Sequence, residues 1–227
     1  MMRVSAIVLA AGRGIRFGGW GCKLFSKIKN KPLFLYSLEE LNRHPLINEI
    51  IIVVNSANRA KIARRVRESG LTKVGKIILG GRRRQDSVYN GLGACGDDTG
   101  LVLIHDSARP FIDSRLISSV VKRAQESGAA IVGVPVKSTI KSASRAQVVE
   151  KTLEREKLWE IQTPQVFKID KLLAAYRRFA KSDVTDDSSL VEKLGVKVSI
   201  VAGDYRNIKV TTAEDLEVAR VIAKKRR

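Results

Sequence analysis

Short β-rich runs alternate with helical segments from one end of this chain to the other, and few architectures accept that rhythm. The runs lie at 3–9, 49–54, 75–79, 101–105 and 129–134, with later ones expected near 197–202 and 207–211. Several are apolar throughout, not merely at every second position. A strand can be apolar on both faces only when both are covered, so the pattern predicts a mainly parallel sheet between two helical layers. The intervals suit helices. Pro32 at a first-turn position opens one, with Phe34, Leu38 and Leu41 along a face, and others span 57–69, 86–95, 113–128, 170–181, 186–194 and 213–225. The expected fold class is α/β: a single Rossmann-like domain over 1–227, its sheet mainly parallel (mixed) and covered by helices on both faces.

One segment breaks the rhythm. Residues 137–163 are polar, with short β-like pieces around Thr139–Ser142 and Val148–Leu153 and no wide apolar face. A stretch this long without a helix is uncommon inside a compact domain. It reads as a protruding β-arm that packs on a second subunit.

The first run becomes a loop of a particular kind. Ile7-Val8-Leu9-Ala10-Ala11-Gly12-Arg13-Gly14-Ile15-Arg16 starts apolar, turns glycine-rich, and is followed by Lys23. Small residues let backbone N–H groups close on a ligand, and Arg16 and Lys23 suit a polyphosphate. Two familiar nucleotide motifs are excluded. A dinucleotide fingerprint needs glycine where Phe17 stands and an acid where the second strand ends in Asn55. A Walker loop needs Ser or Thr after its lysine, where Leu24 follows Lys23. Arg3 and the apolar run after it are too short for a secretory signal, so a cytoplasmic location is expected.

Composition narrows the class further. Among 227 residues, 44% are hydrophobic, no stretch is long enough for a membrane span, and Cys22 and Cys95 are the only cysteines. Neither a disulfide framework nor a Cys/His metal cluster is expected. The net charge of +19 could serve a nucleic acid or a small polyanion. Much of it lies in Arg59, Lys61, Arg64, Arg65, Arg67, Lys73, Lys76 and Arg82-Arg83-Arg84, most of which read as a solvated face. Few aromatics stand among them to stack bases, so no nucleic-acid partner and no membrane are expected.

The strand ends carry further polar signatures. The third ends in Gly80-Gly81-Arg82-Arg83-Arg84-Gln85-Asp86-Ser87 and the fourth in His105-Asp106-Ser107-Ala108-Arg109-Pro110. Beyond the arm come Arg155, Thr163-Pro164-Gln165, Thr185-Asp186-Asp187 and Asn207-Ile208-Lys209-Val210-Thr211. This set, from Val4 to about Leu216, resembles the 2-C-methyl-D-erythritol 4-phosphate cytidylyltransferases of the non-mevalonate isoprenoid pathway.

The resemblance implies transfer of CMP from CTP to methylerythritol 4-phosphate, with Mg²⁺ as cofactor and a homodimer formed through the arm. It implies that Ala10, Ala11, Gly12, Gly14, Gly81 and Ser87 approach the nucleotide, with Arg16 and Lys23 on the triphosphate. Asp106 would meet a ribose or substrate hydroxyl close to the metal, whose ligands stay unassigned. Arg109, Thr185 and Lys209 would meet the acceptor, while Arg155 and Thr163 on the arm would serve the neighbouring subunit's pocket. Arg16, Lys23 and Lys209 are the expected catalytic residues. Both reactants are anions, so such chemistry reduces to positioning and charge cancellation, with no nucleophilic side chain.

Some positions depart from the family pattern. Cys22 and Leu24 flank the loop lysine where proline and glutamine are usual, Trp20-Gly21 is uncommon, and Arg82 replaces a frequent acid. The competing readings are a cytidylyltransferase for ribitol 5-phosphate or another polyol phosphate and, more distantly, a basic nucleic-acid-binding protein. Thr185 could simply cap a helix, His105 reads as a packed strand residue, and Lys209 is read as a cation in an apolar strand that needs an anion.

Overall fold

A computed structural model of the chain describes residues 2–12, 14, 17, 22–180 and 182–225, Cys22 by its backbone alone. The chain begins with β1 (Arg3–Ala10), α1 (Cys22–Phe25), the small hairpin β2 (Lys27–Ile28) and β3 (Lys31–Pro32), and α2 (Leu33–Arg43). It continues through β4 (Glu49–Val54), α3 (Ser56–Glu68), β5 (Val74–Leu79), α4 (Arg84–Leu92) and β6 (Thr99–Asp106). Then come α5 (Ser114–Ser127), β7 (Ala129–Pro135), β8 (Lys141–Ala143), β9 (Val149–Thr152) and β10 (Trp159–Lys168). It closes with α6 (Ile169–Arg178), α7 (Ser188–Lys193), β11 (Ser199–Ala202) and α8 (Ala213–Lys225).

Seven strands form the main sheet in the order β11-β7-β10-β6-β1-β4-β5. Every pairing in it is parallel except those of β10, which runs antiparallel to both β6 and β7. The two-residue side-chain period of a strand sends β1 into two cores. Val4, Ala6, Val8 and Ala10 join α2, α3, α5 and α8 on one face, while Ile7 joins α4, α6 and α7 on the other. Both faces are therefore covered, as the continuous apolar runs require. Trimming a central side chain such as Ile52, wholly buried, to alanine is expected to cost about 2–5 kcal/mol.

Topology fixes where a ligand can sit. The chain leaves β1 toward β4 and β5 on one side, then returns to place β6 on the other. Strand order reverses at β1, and a crevice opens beyond the carboxyl ends there. The glycine loop and Asp106 meet at that point, because Leu9 and Asp106 are register partners.

Three expectations change. Residues 159–163, read as the end of the arm, belong instead to the main sheet through β10. Residues 207–211 form no ladder; the segment is extended and tied down by Val210 N–H donating to Ala108 O at 2.9 Å. Pro32 stands one place before α2, as its N-cap. Within the expected arm, β8 and β9 pair antiparallel as a separate ribbon, and all four residues of β9 are exposed.

Candidate active site

The glycine loop is shaped by what surrounds it. Gly14 has φ of 64°, a left-handed value that disfavours a side chain. A Cβ on Gly80 would come within 2.6 Å of Ser87 Oγ and 2.8 Å of Ala11 Cβ, so the loops after β1 and β5 touch only because that side chain is absent. Ser87 Oγ accepts from Gly81 N–H at 3.1 Å and donates to Arg83 O at 3.2 Å, fastening the second loop to α4. Asn55, standing where a dinucleotide site would carry its acid, accepts from Asn58 N–H at 2.9 Å and caps α3.

These loops line a cavity of about 710 Å³ that contains Ala10, Ala11, Gly12, Gly14, Lys23, Gly81, Ser87 and Asp106, and also Asn55, Ser107 and Thr211. Every described residue expected at a nucleotide lines it. Arg16 and the loop departures at Trp20, Gly21 and the Cys22 side chain lie outside the described residues. Leu24 is buried and lines the same cavity.

A second cavity, also about 710 Å³, opens on the other side of Asp106. Arg109, Gln162, Thr163, Gln165, Thr185, Asp186, Ser188, Ser189, Glu192 and Lys197 add to its polar lining, and Ile131, Ile161, Val196, Val198 and Ile200 supply its apolar one. The two cavities have three residues in common: Arg84, Asp106 and Lys209.

That shared wall is an alternating charge cluster. Lys209 Nζ stands 2.6 Å from Asp106 Oδ2, and Arg84 Nε 3.4 Å from Asp106 Oδ1. Arg84 Nη1 also pairs with Asp187 at 2.7 Å. Burial alone would raise the Asp106 carboxyl, but Arg84 and Lys209 outweigh it and hold the group well below the usual carboxylate range. For Arg84, burial is likewise opposed and outweighed, here by Asp187 and Asp106. Asp106 is thus an anion at any working pH.

Behind the wall lies a buried polar seam. Asp106 N–H donates to Thr163 Oγ1 at 3.1 Å. The carbonyl Arg109 O can only accept, so His105 Nε2 carries the proton in their 3.0 Å bond, leaving Nδ1 to accept from Thr163 Oγ1 at 3.0 Å. Desolvation keeps that imidazole neutral, lowering its pKa to about 4. Arg109 spends its fork on Asn207 O at 2.8 Å and Ile161 O at 3.4 Å. Asn207, fully buried, donates to Thr163 O at 2.9 Å. This seam anchors the extended segment that delivers Lys209.

Several site expectations shift with the geometry. Thr163 lines its own chain's cavity and sits inside the main sheet, not out on the arm. Arg155 lies on a 3₁₀ turn (Arg155–Lys157), donates to Lys137 O at 3.0 Å, and lines neither cavity. Lys209 is half-exposed in a segment that is no strand, and its anion is Asp106. Thr185 is exposed on the cavity rim; Asp186 does the capping there, accepting from Ser189 N–H at 3.2 Å.

Arg84 stands in the basic run expected on a solvated face, yet it belongs to the wall. The signal for it was position: it opens the helix directly after the Gly80-Gly81 turn at a strand's carboxyl end. Gln165, to which the sequence assigns no role, lines the second cavity, its Nε2 donating to Asp186 Oδ2 at 2.9 Å.

Comparison with known proteins shows the family and the fold. The family model for 2-C-methyl-D-erythritol 4-phosphate cytidylyltransferase matches residues 4–225. The enzyme of that name from Pelotomaculum thermopropionicum is 44% identical over 229 residues, covering 100% of this chain and 96% of that protein. The one from Dehalococcoides mccartyi is 44% identical over 225 residues, covering 99% and 98%. Among solved structures, 4-diphosphocytidyl-2C-methyl-D-erythritol synthase from Anaerococcus prevotii superposes with a TM-score of 0.87 at 30% identity, covering 98% of this chain and 96% of that one. The cytidylyltransferase from Thermus thermophilus gives 0.78 at 29% identity, with 96% and 98% covered.

Proposed function

The chain belongs to the 2-C-methyl-D-erythritol 4-phosphate cytidylyltransferase family, and on that premise we propose how its own residues divide the work. It is a nucleotidyltransferase of non-mevalonate isoprenoid biosynthesis, transferring CMP from CTP to methylerythritol 4-phosphate with release of pyrophosphate. The single observation that carries the assignment of residues is the wall of Arg84, Asp106 and Lys209 common to two cavities. A reaction between two bound anions needs two adjoining pockets and cations at the boundary.

In this reading CTP takes the cavity lined by Ala10, Ala11, Gly12, Gly14, Gly81 and Ser87, with Lys23, and Arg16 from the same loop, on its phosphates. Methylerythritol 4-phosphate takes the other, its hydroxyls facing Thr163, Thr185 and Asp106 and its phosphate facing Arg109 and Lys209. A phosphate oxygen of the acceptor attacks the α-phosphorus of CTP in line, the bond to the bridging oxygen breaks, and pyrophosphate leaves with that electron pair. Lys209 turns from Asp106 to the phosphate oxygen on which charge grows. Lysine suits this duty as a compact point charge on a flexible stem.

Magnesium fits the donor set only as a partner of the nucleotide. Among the described residues Asp106 is the one carboxylate lining the nucleotide cavity, and there is no cluster of three acidic, His or Cys ligands. Mg²⁺ commonly binds through one or two carboxylates plus substrate phosphates, so Asp106 would hold it together with the triphosphate. Bound there, it would neutralise charge on the leaving pyrophosphate.

The arm, 137–163 in extent less the part in β10, is proposed to pack on a second copy of the chain. Val148 and Val149 on the ribbon are 63% and 58% exposed, which favours a covering partner. Arg155, remote from its own chain's cavities, would then reach the partner's acceptor pocket. The excess charge is read as solvated surface: Arg64 and Arg65 already pair with Glu68. Nucleic acid is not among the proposed partners. Among the described residues no helix is long and apolar enough to cross a membrane, and we assign the enzyme to the cytoplasm.

The test is product identity. Purified protein with CTP, Mg²⁺ and methylerythritol 4-phosphate should yield CDP-methylerythritol, read by ³¹P NMR as a diphosphate diester. Retention of both starting resonances would refute the reading.

A further inference from the structure

Five side chains run in an unbroken line from the core to the wall between the cavities. Tyr176 Oη, on α6, donates to Asp187 Oδ1 at 2.6 Å, and Asp187 Oδ2 accepts from Arg84 Nη1 at 2.7 Å. Arg84 Nε reaches Asp106 Oδ1 at 3.4 Å, and Asp106 Oδ2 meets Lys209 Nζ at 2.6 Å. Tyr176 and Asp187 are 5% and 1% exposed, and neither lines a cavity. The ring of Tyr176 also stacks on Tyr89 of α4, centroids 5.7 Å apart. Tyr176 therefore holds the helix that carries Arg84 twice, through its ring and through its hydroxyl.

We infer that Tyr176 is a positioning residue for the transfer, keeping Arg84 shared between Asp187 and Asp106 so that Lys209 can leave Asp106 for a phosphate oxygen. The inference rests on the roles proposed above for Lys209 and Asp106. Asp106 has two cations, one per oxygen. When Lys209 turns away, Arg84 is the one side chain of the described pair that still holds the carboxylate in place, beside any Mg²⁺ bound there. Arg84 serves two carboxylates, and its bond to Asp106 is the longer of the two. A buried carboxylate demands its full set of donors. Deprived of the tyrosine hydroxyl, Asp187 would draw the guanidinium fork toward its bare oxygen. Asp106 would then lean on Lys209, and the lysine would be released less readily.

Tyr176→Phe tests this, because the ring and its stack remain while the hydroxyl goes. Tyr89→Phe, whose ring stays in the stack, is the control. We expect Tyr176→Phe to lower kcat about tenfold while KM for CTP and for the acceptor changes by less than about threefold. Tyr89→Phe should keep the wild-type kcat. A structural role would lower the melting temperature and leave kcat per folded molecule untouched. A second readout needs no turnover: acylation of Lys209 by an amine reagent, followed by peptide mass spectrometry, should be severalfold slower in Tyr176→Phe. Wild-type kcat in Tyr176→Phe, a loss confined to KM, or unchanged labelling of Lys209 would each overturn the inference. If the wild-type protein transfers no cytidylyl group the functional reading fails separately, and the labelling rate still decides this point.

Discussion

Lys209 Nζ lies 2.6 Å from Asp106 Oδ2 although 103 residues separate them, and the pair stands where two cavities meet. Lys209 arrives on an extended segment anchored by Asn207; Asp106 ends a central strand. The contact sets a half-exposed cation against a buried anion in the wall that both cavities share.

Lys209→Ala removes a cation from a developing charge. Such a loss typically costs about 2.7–4 kcal/mol of transition-state stabilisation, a fall in kcat of roughly a hundredfold or more. CTP affinity should change far less. Steady-state kinetics with calorimetric CTP binding checks this, and an equal loss of CTP affinity would contradict the role given to Lys209.

Gly80→Ala tests how closely the two nucleotide loops pack. The added methyl group would meet Ser87 Oγ at 2.6 Å, Ala11 Cβ at 2.8 Å and Val53 Cγ1 at 3.2 Å. Overpacking of this kind costs about 1–3 kcal/mol, and CTP should bind more weakly because Ala11 must move. Urea unfolding and CTP titration of the variant read both effects.

Arg155 and Lys23 act from different subunits if the arm completes its partner's pocket. Arg155→Ala and Lys23→Ala homodimers should each be impaired. A mixed population should regain roughly a quarter of wild-type activity, since each heterodimer would hold one intact site. No recovery on mixing would remove the shared site.

His105 carries a pH signature. Its buried imidazole has a pKa of about 4 against an ordinary 6.5, lowered chiefly by desolvation. A depressed folded value means the unfolded chain takes the proton first. The stabilising contribution is complete above pH 6.5 and is lost as pH falls toward 4, amounting to about 3 kcal/mol for one site. NMR titration should find this ring neutral at pH 5.5. A midpoint near 6.5 would contradict the burial argument.

How much of this was legible in sequence follows from range. Strands β1, β4 and β6 declared themselves because double-sided burial makes apolar runs, and the small residues from Ala10 to Gly14 mark a loop that something must approach. β10 did not. Its stretch Glu160-Ile161-Gln162-Thr163-Pro164-Gln165 is polar because part of it faces a cavity, and a proline interrupts its ladder where the register shifts between Gln162 and Gln165. Arg84 was hidden inside three consecutive arginines, of which only it turns inward to two carboxylates. Its partner Asp187 lies 103 residues away, and no local pattern couples them. The segment 207–211 resembles a strand by composition; Val210 buried in the core and Ile208 packed against it explain its apolar content without a ladder.

Cytidylyl transfer across the Asp106–Lys209 wall is read by pyrophosphate release from the purified enzyme with CTP and Mg²⁺, offered methylerythritol 4-phosphate or ribitol 5-phosphate in parallel. Release is expected with the methylerythritol compound, abolished or nearly so in Lys209→Ala, and little or none with ribitol 5-phosphate. Release with ribitol 5-phosphate alone, or undiminished release from Lys209→Ala, would contradict it.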